Sequence, residues 1–273
     1  MASKNAAAVS AFIEGAPPGE LADVVTDIKA LTEDDPTLLE KARPAFQKYN
    51  EEQLTTVKLP GSGKTVLISS YNSLGEGRYY DVESQSSFTF DHAAQKASDV
   101  QSHTLESEHG DLISSLSKTL TAHAHEHYPS STSAVFPVAA TTASIAILLV
   151  SNKYSPSNFW NGRLRTTYLY HPATTALTGT LKCDVHYYED GNVRLLTTKT
   201  LPPTTISPSA SEIMKTIAKV EKGWQEELNR GFSRLSEGEF KNLRRQLPVT
   251  RQKVEWEKVT SYRAGKEIGG GRR

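Results

Sequence analysis

The chain has 273 residues and no net charge, with 31 Lys and Arg against 31 Asp and Glu. Its length allows a sizeable core in one large or two small domains, and its ordinary globular composition excludes disorder along most of its length. A single cysteine, Cys183, excludes an internal disulfide; Ser144 to Val150, the longest apolar run, is far short of the roughly 20 residues of a membrane span; and Met1 to Ala8 lacks the apolar core of a signal peptide, so a soluble protein of the cytoplasm or nucleus is expected.

Residues 1–54 read as a bundle of short helices. Ala6 to Ile13 is stopped by Gly15, Pro17 and Pro18. From Glu20, the positions Leu21, Val24, Val25, Ile28 and Leu31 repeat on one helical face. A third helix starts at Asp34-Asp35-Pro36, a capping acid before proline, and carries Leu38, Leu39, Ala42, Phe46 and Tyr49 inward. Pro44 should kink or split it.

Residues 55–102 change period to a small β region. Val57 to Leu59 and Val66 to Ser70 flank Pro60-Gly61-Ser62-Gly63 as a hairpin, with further strands at Arg78 to Val82 and Phe88 to Phe90. Residues 103–206 read as a helix from about Leu105 to Tyr128, then an antiparallel sheet. Val135 to Ala139 and Ser144 to Ser151 are strands, and Asn158 to Gly162 is expected to turn the chain. Leu164, Thr166, Tyr168 and Tyr170 alternate with Arg163, Arg165, Thr167 and Leu169, and Asp190-Gly191 signals a hairpin into Val193 to Lys199. One face of this sheet needs a cover. Residues 207–248 supply it as a long helix with Ile213, Ile217, Val220, Trp224, Leu228, Leu235 and Phe240 in a stripe, breaking near Gly238 and ending at Pro248. Residues 249–273 form a separate basic segment. The fold class is α+β.

No catalytic constellation assembles. Gly63-Lys64-Thr65 resembles the end of a phosphate loop, but the required first glycine is Lys58 and a strand follows in place of a helix, so it reads as a turn. His123 and His127 share a helical face at metal-ligand spacing, yet that face is also the apolar one, so a packed or rim role is expected. Cys183 lies on an apolar strand face and should be inert, and Asp184 and Glu189 lack a partner for acid–base work. No cofactor or metal is expected.

Charge is distributed very unevenly. From Lys241 to Arg273 there are ten basic residues and three acids, about +7, so the rest of the chain carries about −7. A helix dipole accounts for Arg244 and Arg245 but not for basic residues beyond Pro248. Within that stretch Trp256 and Val259 stand at i, i+3 spacing among Lys253, Lys258, Arg263 and Lys266, the pattern of a segment that steers to an acidic surface and docks an apolar face in a groove. A nucleic-acid-binding end stacking through Trp256 and Tyr262, or an anionic-phospholipid site, would use the same cluster.

Three strings, Val185–Val193, Leu243–Arg251 and Asn158–Arg163, resemble the alpha subunit of the actin capping protein family. Supporting strings are Ala16–Glu20, Gln47–Asn50, Phe88–His92 and His127–Pro129, in order over roughly residues 9 to 268. The resemblance implies a capping-protein fold and an obligate heterodimer with a beta subunit, the two sheets joining across the dimer. It further implies calcium-independent binding to barbed ends of actin filaments, without severing or catalysis, in the cytoplasmic and cortical actin cytoskeleton. In the family the C-terminal segment is an amphipathic tentacle, and basic residues at its junction with the long helix contact actin. Carried onto matching positions, these are Lys241, Arg245 and Arg251, with Trp256 as the tentacle tryptophan. Together with the charge pattern, the expected actin-binding set is Lys241, Arg244, Arg245, Arg251, Lys253, Trp256, Val259 and Lys266. Phosphoinositides and capping-protein regulators are the implied competitors at this junction. Thr260 and Ala264 stand where the family has larger aliphatics, which thins the apolar face.

Overall fold

In the computed structural model, which describes residues 2–104, 107–128, 130–138, 144–189 and 192–239, the chain opens on four helices. They are α1 (Ala2–Glu14), α2 (Leu21–Leu31), α3 (Pro36–Lys41) and α4 (Arg43–Glu52). Asp35 caps α3 by accepting from the Thr37 amide at 2.9 Å, with Pro36 at the first helical position. Pro44 splits the expected third helix in two: α3 ends at Lys41, Ala42 joins the pieces, and Pro44 sits in the first turn of α4, where its missing N–H leaves no bond unmade. Val9, Ile13, Leu21, Ile28, Leu38, Phe46 and Tyr49 form the bundle core.

The middle region holds six short strands. β1 (Thr56–Lys58) and β2 (Thr65–Leu67) make the expected hairpin, with Gly61 and Gly63 at positive φ in its turn. β3 (Ser73–Gly75), β4 (Arg78–Asp81), β5 (Ser86–Asp91) and β6 (Lys96–Ser102) form a four-stranded antiparallel sheet. Tyr79, Phe88 and Phe90 pack with Leu59, Val66 and Ile68 as its core.

α5 (Gly110–His127) starts later than its apolar pattern suggested and packs on β7. The main sheet is five antiparallel strands in the order β11-β10-β9-β8-β7, where β7 is Ser131–Val138, β8 Ser144–Ser155, β9 Trp160–His171, β10 Ala176–Tyr187 and β11 Val193–Thr205. The turn between β8 and β9 is a 3-10 turn at Pro156–Asn158 with Phe159 in the left-handed region, so Trp160, Asn161 and Gly162 belong to the strand and not to the turn. Asp190 and Gly191 lie outside the described residues; the strands on either side pair Tyr187 with Val193.

Along β8 and β9 both faces of this sheet bury side chains, which corrects the expectation of one. One carries Ile145, Ile147, Leu149, Tyr168, Tyr170, Leu177 and Leu181. The opposite face carries Ala146, Leu148 and Val150, which pack with Leu54, Leu67 and Tyr80 from the preceding regions. It also carries Arg163, Arg165 and Asp184, all at most 8% exposed. The chain divides into two compact units, residues 1–218 and 219–273. α6 (Ala210–Arg234) runs through the division; in the first unit its opening turns bury Ile213, Met214 and Ile217. In the second unit α6 passes into a π-helical turn, Leu235–Glu239, so the α register breaks around Gly238 as its sequence foreshadows.

Candidate functional site

Lys241, Arg244, Arg245, Arg251, Lys253, Trp256, Val259 and Lys266 all lie outside the described residues, as do Phe240 and Pro248. What the structure shows is the platform that precedes them: the 25 residues of α6 and the π turn that follows.

The other residues singled out from the sequence have structural roles. Lys64 of the apparent phosphate loop is an ion-pair donor, 2.7 Å from Asp81 and 3.1 Å from Glu83, at the mouth of the hairpin. His123 and His127 pack against each other with ring centroids 4.7 Å apart and planes tilted by 58°. Burial, helped by the Asp184 charge, pushes the Cys183 thiol up, away from thiolate reactivity. Glu189 accepts from the Tyr187 hydroxyl.

A buried polar layer joining the N-terminal helices to the main sheet is the largest feature that sequence patterning missed. Glu20 accepts from Asn161 at 2.9 Å and lies 2.8 Å from Nδ1 of His186, whose Nε2 faces Asn192 Oδ1 at 2.8 Å. Arg194 makes a two-pronged bond to Asp184, at 2.9 and 2.7 Å, and donates to the carbonyls of Gly15 and Ala16. Such a fork satisfies both carboxylate oxygens, which is what lets Asp184 sit at 1% exposure. Arg163 donates to Asn152, to Tyr154 and to the backbone and side-chain oxygens of Gln53. Arg165 reaches the carbonyl of Glu52. Burial, with the Arg163 charge beside it, pulls Arg165 down to about 10. Alternation in β9 identifies these arginines as one face; the partners that bury them against the helical region, Gln53 and Glu52, are more than a hundred residues away and leave no local signal.

One edge of the sheet is β11; the other, β7, packs against α5. No described strand pairs with the outer side of β11, which runs 13 residues, with Leu196 65% exposed. A long unpaired edge is a template for another chain's strand.

Comparison with known proteins is consistent over nearly the whole chain. The family model described as F-actin capping protein alpha subunit matches residues 9–267, a span that includes every member of the expected actin-binding set. The F-actin-capping protein subunit alpha of Neurospora crassa is 61% identical, covering 96% of each chain. Those of Emericella nidulans and Caenorhabditis elegans are 57% and 37% identical, with 96% and 95% of each chain covered. Among solved structures, that of the homodimeric actin capping protein alpha subunit from Plasmodium berghei superposes with a TM-score of 0.69 over 87% of this chain and 94% of its own, at 19% identity, a likeness of fold.

Proposed function

Because the chain belongs to the F-actin capping protein alpha-subunit family, we propose that it is the alpha half of a heterodimer that occupies the barbed ends of actin filaments. It blocks both addition and loss of monomers, without calcium and without severing. The family is one of actin-binding proteins and not of enzymes.

The observation that carries this proposal is the family match through residue 267 together with about +7 of charge on residues 241–273. In the proposed mechanism Lys241, Arg244, Arg245 and Arg251 steer the dimer to an acidic actin surface. Lys253 and Lys266 extend that field along the tentacle, where Trp256 and Val259 supply the apolar face that docks. A second tentacle from the beta subunit would raise avidity through effective concentration, so each can be individually weak. The free β11 edge supports assembly with a beta subunit by sheet continuation. Phosphoinositides and protein regulators would compete at the same basic junction, in the cytoplasmic, cortical actin cytoskeleton. No helix of the described residues is long and apolar enough to cross a membrane.

Elongation of pyrene-actin from preformed seeds tests the proposal, using this chain co-expressed with a beta subunit and again without residues 241–273. Substoichiometric arrest that is lost on truncation is expected. Undiminished elongation in the presence of a well-folded intact dimer would overturn it.

A further inference from the structure

Arg163 and Arg165 set two guanidinium groups side by side under the sheet, at 8% and 7% exposure, and none of their described hydrogen bonds is to a carboxylate; the Asp184 and Glu52 charges act on Arg165 only through space. The nearby Asp184 is already held by both prongs of Arg194. Guanidinium stays charged at any ordinary pH, and a buried charge is normally neutralised by a counter-charge. Arg165 is further underused, because its buried Nε has no hydrogen-bond partner.

Arg165 forms part of the wall of a cleft of about 470 Å³ that also takes in Lys182, Thr167 and Thr180 from β9 and β10. Thr167 faces Thr180 across the two strands and Arg165 faces Lys182, so two cations and two hydroxyls share one patch of sheet. We propose that this cleft is a binding site for a phosphate-class oxyanion, anchored on Arg165 and Lys182 with the threonine hydroxyls as further donors.

Glu51 and Glu52 also line the cleft. Glu51 is engaged by the Tyr79 hydroxyl at 2.6 Å, and these two carboxylates against Lys48, Arg165 and Lys182 leave the lining one net positive charge, which suits a single phosphate and not an extended polyanion. The volume exceeds that of one phosphate, leaving room for the organic part of a small monoester. None of the residues lining the cleft belongs to the basic C-terminal segment, and the proposal does not depend on filament capping.

The test is calorimetric titration of inorganic phosphate, and in parallel glycerol phosphate, into the co-expressed heterodimer at constant ionic strength, with no actin present. Saturable binding at one site per dimer is expected, abolished in Arg165→Met and weakened about tenfold in Lys182→Gln by loss of one charge-assisted bond. It should persist in Arg245→Ala/Arg251→Ala, which separates the cleft from the tail. Tighter binding of glycerol phosphate identifies a monoester as the ligand; equal binding identifies the free anion. Should Arg165→Met fail to fold, Lys182→Gln and Thr180→Val decide alone, because they change the cleft wall without leaving a charge unpaired. Absence of binding, or identical binding by wild type and all cleft variants, overturns the proposal.

Discussion

Gly179 sits directly opposite Tyr168 across β10 and β9, and the ring lies over the space a side chain would occupy. A Cβ at position 179 would stand 2.3 Å from Cδ1 of Tyr168 and 2.7 Å from Cε1, well inside van der Waals contact. Tyr168 is 1% exposed and cannot swing out to solvent. Gly179→Ala therefore forces a packed ring or the strand itself to move, an overpacking that costs about 1–3 kcal/mol. Lower entropy of the unfolded chain returns about 0.4–1 kcal/mol, so a net loss of about 1–2 kcal/mol is expected. At about 2–4 °C per kcal/mol for a chain near this size, melting should fall by roughly 2–8 °C. Thermal unfolding of the co-expressed heterodimer at fixed concentration reads this directly. Gly162→Ala is the internal control: its nearest neighbours would be 3.7 Å away, so it should melt at or slightly above wild type. Adding Tyr168→Leu to Gly179→Ala should recover part of the loss, because the pair is coupled through one clash. A Gly179→Ala variant that melts as high as wild type would refute the reasoning.

Three further outcomes are expected. Arg245→Ala with Arg251→Ala should weaken filament-end binding while the heterodimer elutes intact on gel filtration; dissociation of the dimer would remove these residues from the actin-binding set. Asp184→Asn removes the carboxylate from the buried fork with Arg194 and should cost about 3–5 kcal/mol in urea unfolding; a loss below about 1 kcal/mol would show that the pair is solvated. His92 is held below its ordinary 6.5 by burial, opposed by the Glu51 and Asp91 charges, with Tyr79 at 3.1 Å from Nε2 and Asn50 on its other nitrogen. The unfolded chain then binds the proton first, so this contribution to stability is complete above pH 6.5 and declines as the pH falls toward the folded value. Urea midpoints between pH 7.5 and 5.5 should therefore converge for wild type and His92→Gln; parallel curves would exclude His92 as their source.

Legibility from sequence followed the range of the interaction involved. The β1–β2 hairpin was readable because Gly61 and Gly63 supply the positive φ that its turn demands, and the α3–α4 break because proline has no N–H. β6 escaped notice: Lys-Ala-Ser-Asp-Val-Gln-Ser has no apolar alternation, and the strand exists because β5 offers it a ladder. Asn161 and Gly162 resemble turn residues, but the left-handed position is taken by Phe159. Alternation in β9 marks Arg163 and Arg165 as one face but not as a buried one, since they look like a solvent face until the bundle is placed over them. The expected actin-binding set came from charge asymmetry and family strings, both properties of sequence, and the described residues add only the helix that leads to it.

The polar layer also sets a schedule for synthesis. Glu20 waits for His186, 166 residues downstream, and the carbonyl of Gly15 for Arg194, 179 residues downstream. At roughly 5–20 residues per second, the ribosome delivers those partners about 8–36 s after the first helices emerge. During that interval the bundle has its apolar core but not its seat, and Glu20 remains hydrated. Closure must come late in translation, when β10 and β11 leave the exit tunnel, so a ribosome stalled before residue 194 holds a chain whose earliest and latest parts have not yet met.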